Sequence, residues 1–110
     1  MFSQMFTATG PLFEPNPSQK MRKVINDVFK GAGKTQLDIY RGMTPVDTGK
    51  LQQGWKQRLI AGQQPQLELY NDVNYAQYVF GRINLLGRSE GQLAELVADR
   101  MNRAIAKEFN

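Results

Sequence analysis

The chain has no cysteine and no histidine among its 110 residues. Without cysteine, disulfides and thiolate chemistry are excluded. Without histidine, the commonest general base and the commonest metal ligand are missing, so any hydrolysis would fall to carboxylates. No cofactor or metal is expected. No apolar run approaches the roughly 18 residues of a membrane span. No charged segment leads into an apolar stretch at the start, so a signal peptide is not expected and synthesis in a cytoplasm is. Blocks of five like charges are also absent. The net charge of +4, from 14 Lys and Arg against 10 Asp and Glu, is mildly basic. It permits contact with nucleic acid without arguing for it. What is present is ordinary for a globular protein: 41% hydrophobic and 22% charged residues. A chain of this length suits one domain whose modest core gains from oligomerisation.

Residues 1–17 read as an arm. Gly10, Pro11, Pro15 and Pro17 break any periodicity, whereas Phe2, Phe6, Leu12 and Phe13 are sticky. An arm of this kind lies on its own domain or on a neighbouring copy. Phe2, Phe6 and Phe13 are its candidate oligomer contacts. Residues 18–110 read as a single α+β domain.

Ser18 is a fair N-cap, and Met21, Val24, Ile25, Val28, Phe29, Ala32, Ile39 and Met43 recur at three- and four-residue spacing. This predicts one long helix to about Gly42, with "KGAGK" at 30–34 as a point of kink or break. "GKT" at 33–35 suggests a phosphate loop, but Val28 stands where that motif needs glycine, and the segment is helical in pattern. Thr44-Pro45 ends the helix. Leu51 and Trp55, four apart, suit a helical turn. "WKQRLIAG" and "QLELYNDV" predict an antiparallel hairpin turning at 62–65. Asn74 is the expected cap of a short helix, "YAQYVFG", closed by Gly81, with Tyr75 and Tyr78 on one face. Ser89 and Gln92 match a capping box before a helix over 90–108, whose apolar face carries Leu93, Leu96, Val97, Met101, Ala104, Ile105 and Phe109. Arg100, Arg103 and Lys107 share one side of it, flanked by Asp99 and Glu108, as on a solvated face. The expected fold is α+β: long N-terminal and C-terminal helices packed on a small antiparallel sheet. Leu51 and Trp55 are expected to pack against Leu93, Val97 and Met101.

Asp47-Thr48-Gly49 spells the signature of aspartic proteases. Those enzymes need two carboxylates sharing a proton, which one triplet supplies only in a symmetric dimer. Their catalytic loop hangs from apolar strands, whereas here it follows a long helix and a proline. The other reading is a turn and cap, with Asp and Thr accepting from free backbone amides and Gly allowing a positive φ.

Two segments together resemble a known family. "TPVDTGKLQQGW", 44–55, resembles the "PVDTGxL" hallmark of the small tail-component or neck proteins of tailed bacteriophages. "YNDVNYAQYVFG", 70–81, resembles their second hallmark, in which an Asn-containing strand runs into "YAxYVExG". The order of elements also matches, over about residues 18–110. Pro45, Val46, Asp47, Thr48, Gly49 and Leu51 match the first hallmark. Tyr75, Ala76, Tyr78, Val79 and Gly81 match the second. The sequence departs from the family at Phe80, where an acidic residue is usual. It departs again at Gln52, Gln53 and Gly54, where Arg and Ser are common. The resemblance implies a non-enzymatic virion protein that completes the tail or joins it to the head. It also implies assembly in the host cytoplasm as a homo-oligomeric ring, most naturally a hexamer, against other neck, connector or tail-tube proteins. Phage DNA would pass through the lumen without sequence recognition. A nucleic-acid-binding module and an aspartic protease using Asp47 are the alternatives.

Overall fold

The computed structural model describes residues 2–7, 19–45, 49–60 and 65–109. In chain order the elements are β1 (Phe2–Thr7), α1 (Gln19–Met43), α2 (Lys50–Gln53), β2 (Trp55–Ile60), β3 (Gln66–Asn71), α3 (Ala76–Arg82), α4 (Leu85–Arg88) and α5 (Gln92–Phe109). The class is α+β, as the sequence predicts. The Ser18 cap, Leu12, Phe13 and most of the hairpin turn lie outside the described residues. No described helix is long and apolar enough to cross a membrane.

α1 buries Val24, Ile25, Val28, Phe29, Ala32, Leu37 and Tyr40 along one stripe, following the spacing in the sequence. It runs through "KGAGK" without the expected break. The glycines serve close approach instead. A Cβ on Gly33 would stand 2.0 Å from Gln57 Oε1 of β2, and one on Gly31 would stand 2.9 Å from Arg100 Nη1 of α5. The sheet crosses the helix at one of these positions, and α5 lies along it at the other.

The sheet has the order β1-β3-β2, antiparallel throughout. Phe2, Asn71 and Trp55 are opposite one another, as are Phe6, Leu67 and Leu59. With a side-chain period of two, these rows and the intervening Gln4, Leu69 and Gln57 share the face turned to α1.

β1 corrects the arm. Residues 2–7 are the third strand of the sheet, in which Phe2 and Phe6, four residues apart, fall on one face. Phe2 is 9% exposed. Its ring lies 5.9 Å from that of Trp55 and 5.0 Å from that of Phe80. Phe6 packs edge-on to Phe29 at 5.7 Å. Neither is a detached anchor.

Trp55 is also placed differently from expectation. It opens β2 at the register of Phe2, and its ring lies 4.9 Å from Tyr40 and 4.7 Å from Phe80. Leu93, Val97 and Met101 are buried where α5 runs along α1. The aromatic cluster at the C-terminal end of α1 takes the tryptophan.

Polar groups are threaded through this core. Tyr40 Oη donates to Gln4 Oε1 at 2.5 Å and lies 3.2 Å from Ser89 Oγ, which donates to the Leu85 carbonyl at 2.8 Å. The predicted capping box is therefore not made. Ser89 is committed to Leu85 and Tyr40, and Gln92 Oε1 accepts from Gln36 Nε2 at 3.0 Å. Nor does Asn74 cap α3. Tyr75 holds that position, and no side chain caps the helix. α3 continues past Gly81 to Arg82, and the left-handed residue beyond it is Asn84, at φ 53°.

Candidate functional site

The site begins where α1 stops. Thr44 Oγ1 donates to the Tyr40 carbonyl at 2.6 Å and accepts from Trp55 Nε1 at 3.0 Å. Gln52 Nε2 donates to the Arg41 carbonyl at 3.0 Å. Carbonyls left open at a helix C-terminus are thus met by side chains from the next segment. Pro45 then carries the chain away exposed. Gly49 brings it back at φ 74°, a backbone angle costly for other residues, to start α2.

Asn71 fixes this loop to the sheet. Fully buried at the end of β3, it donates from Nδ2 to the Leu51 carbonyl at 2.7 Å and accepts the Val73 N–H on Oδ1 at 3.1 Å. The space beside it is closed. A Cβ on Gly54 would stand 2.7 Å from Asn71 Oδ1 and 2.8 Å from Val73 Cγ2. This is a local reason for Gly54 at a departure from the family pattern.

α3 divides into two faces. Ala76 and Phe80 point inward, with Phe80 only 1% exposed. That explains an aromatic residue where the resemblance suggests an acid: the position lies among Phe2 and Trp55. Tyr75, Tyr78, Val79 and Arg82 follow i, i+3, i+4 and i+7 spacing on the other face. Tyr78 is 70% exposed and Tyr75 is 40% exposed.

Between this face and the loop after α1 lies a cleft of about 460 Å³, walled by Pro45 and Leu51 on one side and by α3 and Ile83 on the other. Arg82 supplies its one charge among the described lining residues. The fold therefore brings five of the motif residues, Pro45, Leu51, Tyr75, Tyr78 and Val79, to a single groove. Gly49 precedes α2, which carries Leu51, and Ala76 is buried on the inner face of α3. Trp55 sits in the core, and Gly81 is exposed on α3 away from the cleft. Val46, Asp47 and Thr48 lie outside the described residues, as does Phe13.

Two of the three basic residues on that side of α5 have partners within the chain. Arg100 Nη2 donates to Thr35 Oγ1 at 2.9 Å, and Arg103 pairs with Asp99. Among the described residues no group of three His, Cys, Asp or Glu is placed to hold a metal. Sequence reasoning missed Thr44, Asn71, Arg82 and Ile83. A signal existed for Asn71, a polar residue at a strand position whose alternation calls for an apolar one. No family model, curated protein or solved structure matches the chain.

Proposed function

We propose that the protein is a structural component of the neck or tail of a tailed bacteriophage. In this reading it forms a ring that completes the tail or joins it to the head, with DNA passing through the lumen.

 The reading assigns it no catalytic role. One observation carries it: the two sequence segments that resemble the phage family meet in the fold and line one exposed groove, held together by the Asn71–Leu51 bond. Residues from separate parts of the chain that converge on a surface, with no carboxylate among the described lining residues, suit contact with another protein better than bond-breaking chemistry.

The order of elements supports the same reading. The Asp-Thr-Gly triplet lies in sequence between a 25-residue helix and a short one, not beside the apolar strands on which an aspartic protease hangs its carboxylates. Nucleic-acid readout is disfavoured by the way Arg100 and Arg103 are engaged within the protein.

The test is imaging of particles made with and without this gene. Loss of the gene is expected to give unjoined heads and tails, or tails of abnormal length. Normally joined particles with tails of normal length in its absence would overturn the assignment.

A further inference from the structure

We infer that the groove beside α3 receives the Leu12-Phe13-Glu14 segment of a second copy of this chain, in a head-to-tail contact. The inference rests on the ring reading for its biological setting, but its evidence is the geometry of the chain.

The first argument is chemical fit. The groove offers Tyr75, Tyr78, Val79 and Ile83 as apolar surface, with Arg82 as its one charge among the described lining residues. Arg82 is exposed and makes no ion pair among the described residues. The segment between β1 and α1 offers Leu12 and Phe13 followed by Glu14, which is the only charged side chain in residues 1–19. Two apolar residues and one anion meet an apolar cleft with one cation. Aromatic anchors dominate contacts of this kind, and charge complementarity sets their register.

The second argument is reach. Phe13 is six residues from Gln19, where α1 begins, and extended chain covers at most about 3.6 Å per residue, so roughly 22 Å. The groove lies past the other end of α1. That helix has 25 residues and no break, which at 1.5 Å per residue separates its ends by roughly 36 Å. The segment therefore cannot enter the groove of its own chain. The donor is thus tethered at one end of α1, and the acceptor lies beyond the other. A contact between opposite ends of identical chains is heterologous, and such contacts close into rings when the rotation permits.

Cysteine trapping tests this directly, because the chain has no cysteine of its own. Full-length Phe13→Cys and Tyr78→Cys proteins are prepared separately, mixed and oxidised across a range of concentrations. The expected result is a disulfide-linked dimer in the mixture, formed several-fold more than in either protein alone or in a mixture with Asn102→Cys, an exposed position on α5. The doubly substituted chain should give a ladder of linked oligomers. Arg82→Glu in the Tyr78→Cys partner should reduce the yield several-fold, and Glu14→Arg in the other partner should restore it. Circular dichroism on each variant establishes that it is folded. A Tyr78→Cys homodimer as the main product would mean groove-to-groove pairing and would overturn the proposal. So would an internally linked monomer from the double variant. No mixed product at the highest soluble concentration would also overturn it, leaving the groove to a different protein. The outcome is separable from the phage reading: trapping can succeed while particles assemble normally without the gene, or fail while they do not.

Discussion

Trp55 Nε1 donates to Thr44 Oγ1 at 3.0 Å, deep in the cluster formed by Tyr40, Phe80 and Phe2. The same hydroxyl donates to the Tyr40 carbonyl. One threonine thus ends α1, holds the indole that opens β2, and begins the loop to the groove. Thr44→Val keeps the shape but leaves the indole N–H and the carbonyl without their partner. Leaving a buried polar group unsatisfied costs about 1–3 kcal/mol. Thr44→Ser is expected to recover most of that loss. Urea denaturation of the three proteins checks the ranking. The single tryptophan reports the same event: its emission should be blue-shifted in the native protein.

Asn71 leads to a second prediction, with a sign that depends on pH. Asn71→Leu removes both the donor to Leu51 and the acceptor for Val73. It is expected to destabilise by about 1–3 kcal/mol for each partner left buried and unpaired. Asn71→Asp sets a carboxylate against the Leu51 carbonyl. Burial favours the neutral acid, whose O–H can donate to that carbonyl as the amide did. The folded state of this variant then binds a proton more tightly than the unfolded chain does. Its stability should rise as pH falls from neutral into the mildly acidic range, while the parent changes less. Denaturation midpoints at matched pH values decide it. A variant that weakens on acidification relative to the parent would contradict the buried clamp.

The long helices and the hairpin were legible because period alone defines them: the α1 stripe recurs at three and four residues, and β2 and β3 flank a proline-containing turn. The meeting of Leu51 with the α3 face was not legible from period, because it depends on Asn71, one amide at a strand end. β1 was hidden for a different reason. Its inward residues are Phe2, Gln4 and Phe6, and Gln4 is inward because Tyr40 Oη gives it a buried partner. Without that partner in view, the alternation of a six-residue strand is broken at its centre. The capping box failed on a similar competition. Ser89 had a better use in Tyr40 and Leu85 than in the first turn of α5.

Glycine substitutions should separate space from propensity. Gly42 and Gly81 lie in helices, and a Cβ at either would meet nothing within 4 Å. Gly42→Ala and Gly81→Ala are each expected to stabilise by about 0.5–1 kcal/mol. Gly54→Ala drives its methyl into Asn71, which two hydrogen bonds hold in place. Overpacking of this kind costs about 1–3 kcal/mol. Thermal melts of the three variants should move in these opposite directions.

Tyr40 gives the protein a limit on the alkaline side. Burial raises its phenol above the ordinary 10.0, and hydrogen bonds with Ser89, Gln4 and Gln36 only partly oppose this. The folded state therefore keeps the proton to higher pH than the unfolded chain. Its contribution is fully present below 10.0 and is lost as pH rises from there through the folded value. Tyr40→Phe should be less stable at neutral pH, by about 1 kcal/mol for its lost hydrogen bonds. It should also lose less stability than the parent as pH is raised past 10.0. The difference between the two curves isolates Tyr40 from the other three tyrosines.

Removing the N-terminus should unfold or aggregate the protein, contrary to what a detachable arm would do. Residues 2–7 pair with β3 along its whole length, and β3 is the central strand. Deleting residues 1–7 leaves a two-stranded hairpin, which is marginal in water, and bares the edge of a strand carrying Leu67 and Leu69. It also removes Phe2 from its place against both Trp55 and Phe80. Phe2→Ala alone is expected to cost about 3–5 kcal/mol, as for other buried aromatics. Phe13→Ala should leave the melting temperature close to that of the parent, because its proposed contact is with another copy. Light scattering and circular dichroism of the deletion and the two point variants distinguish these effects. A deletion variant that stays monomeric with unchanged stability would show that β1 contributes nothing to the fold.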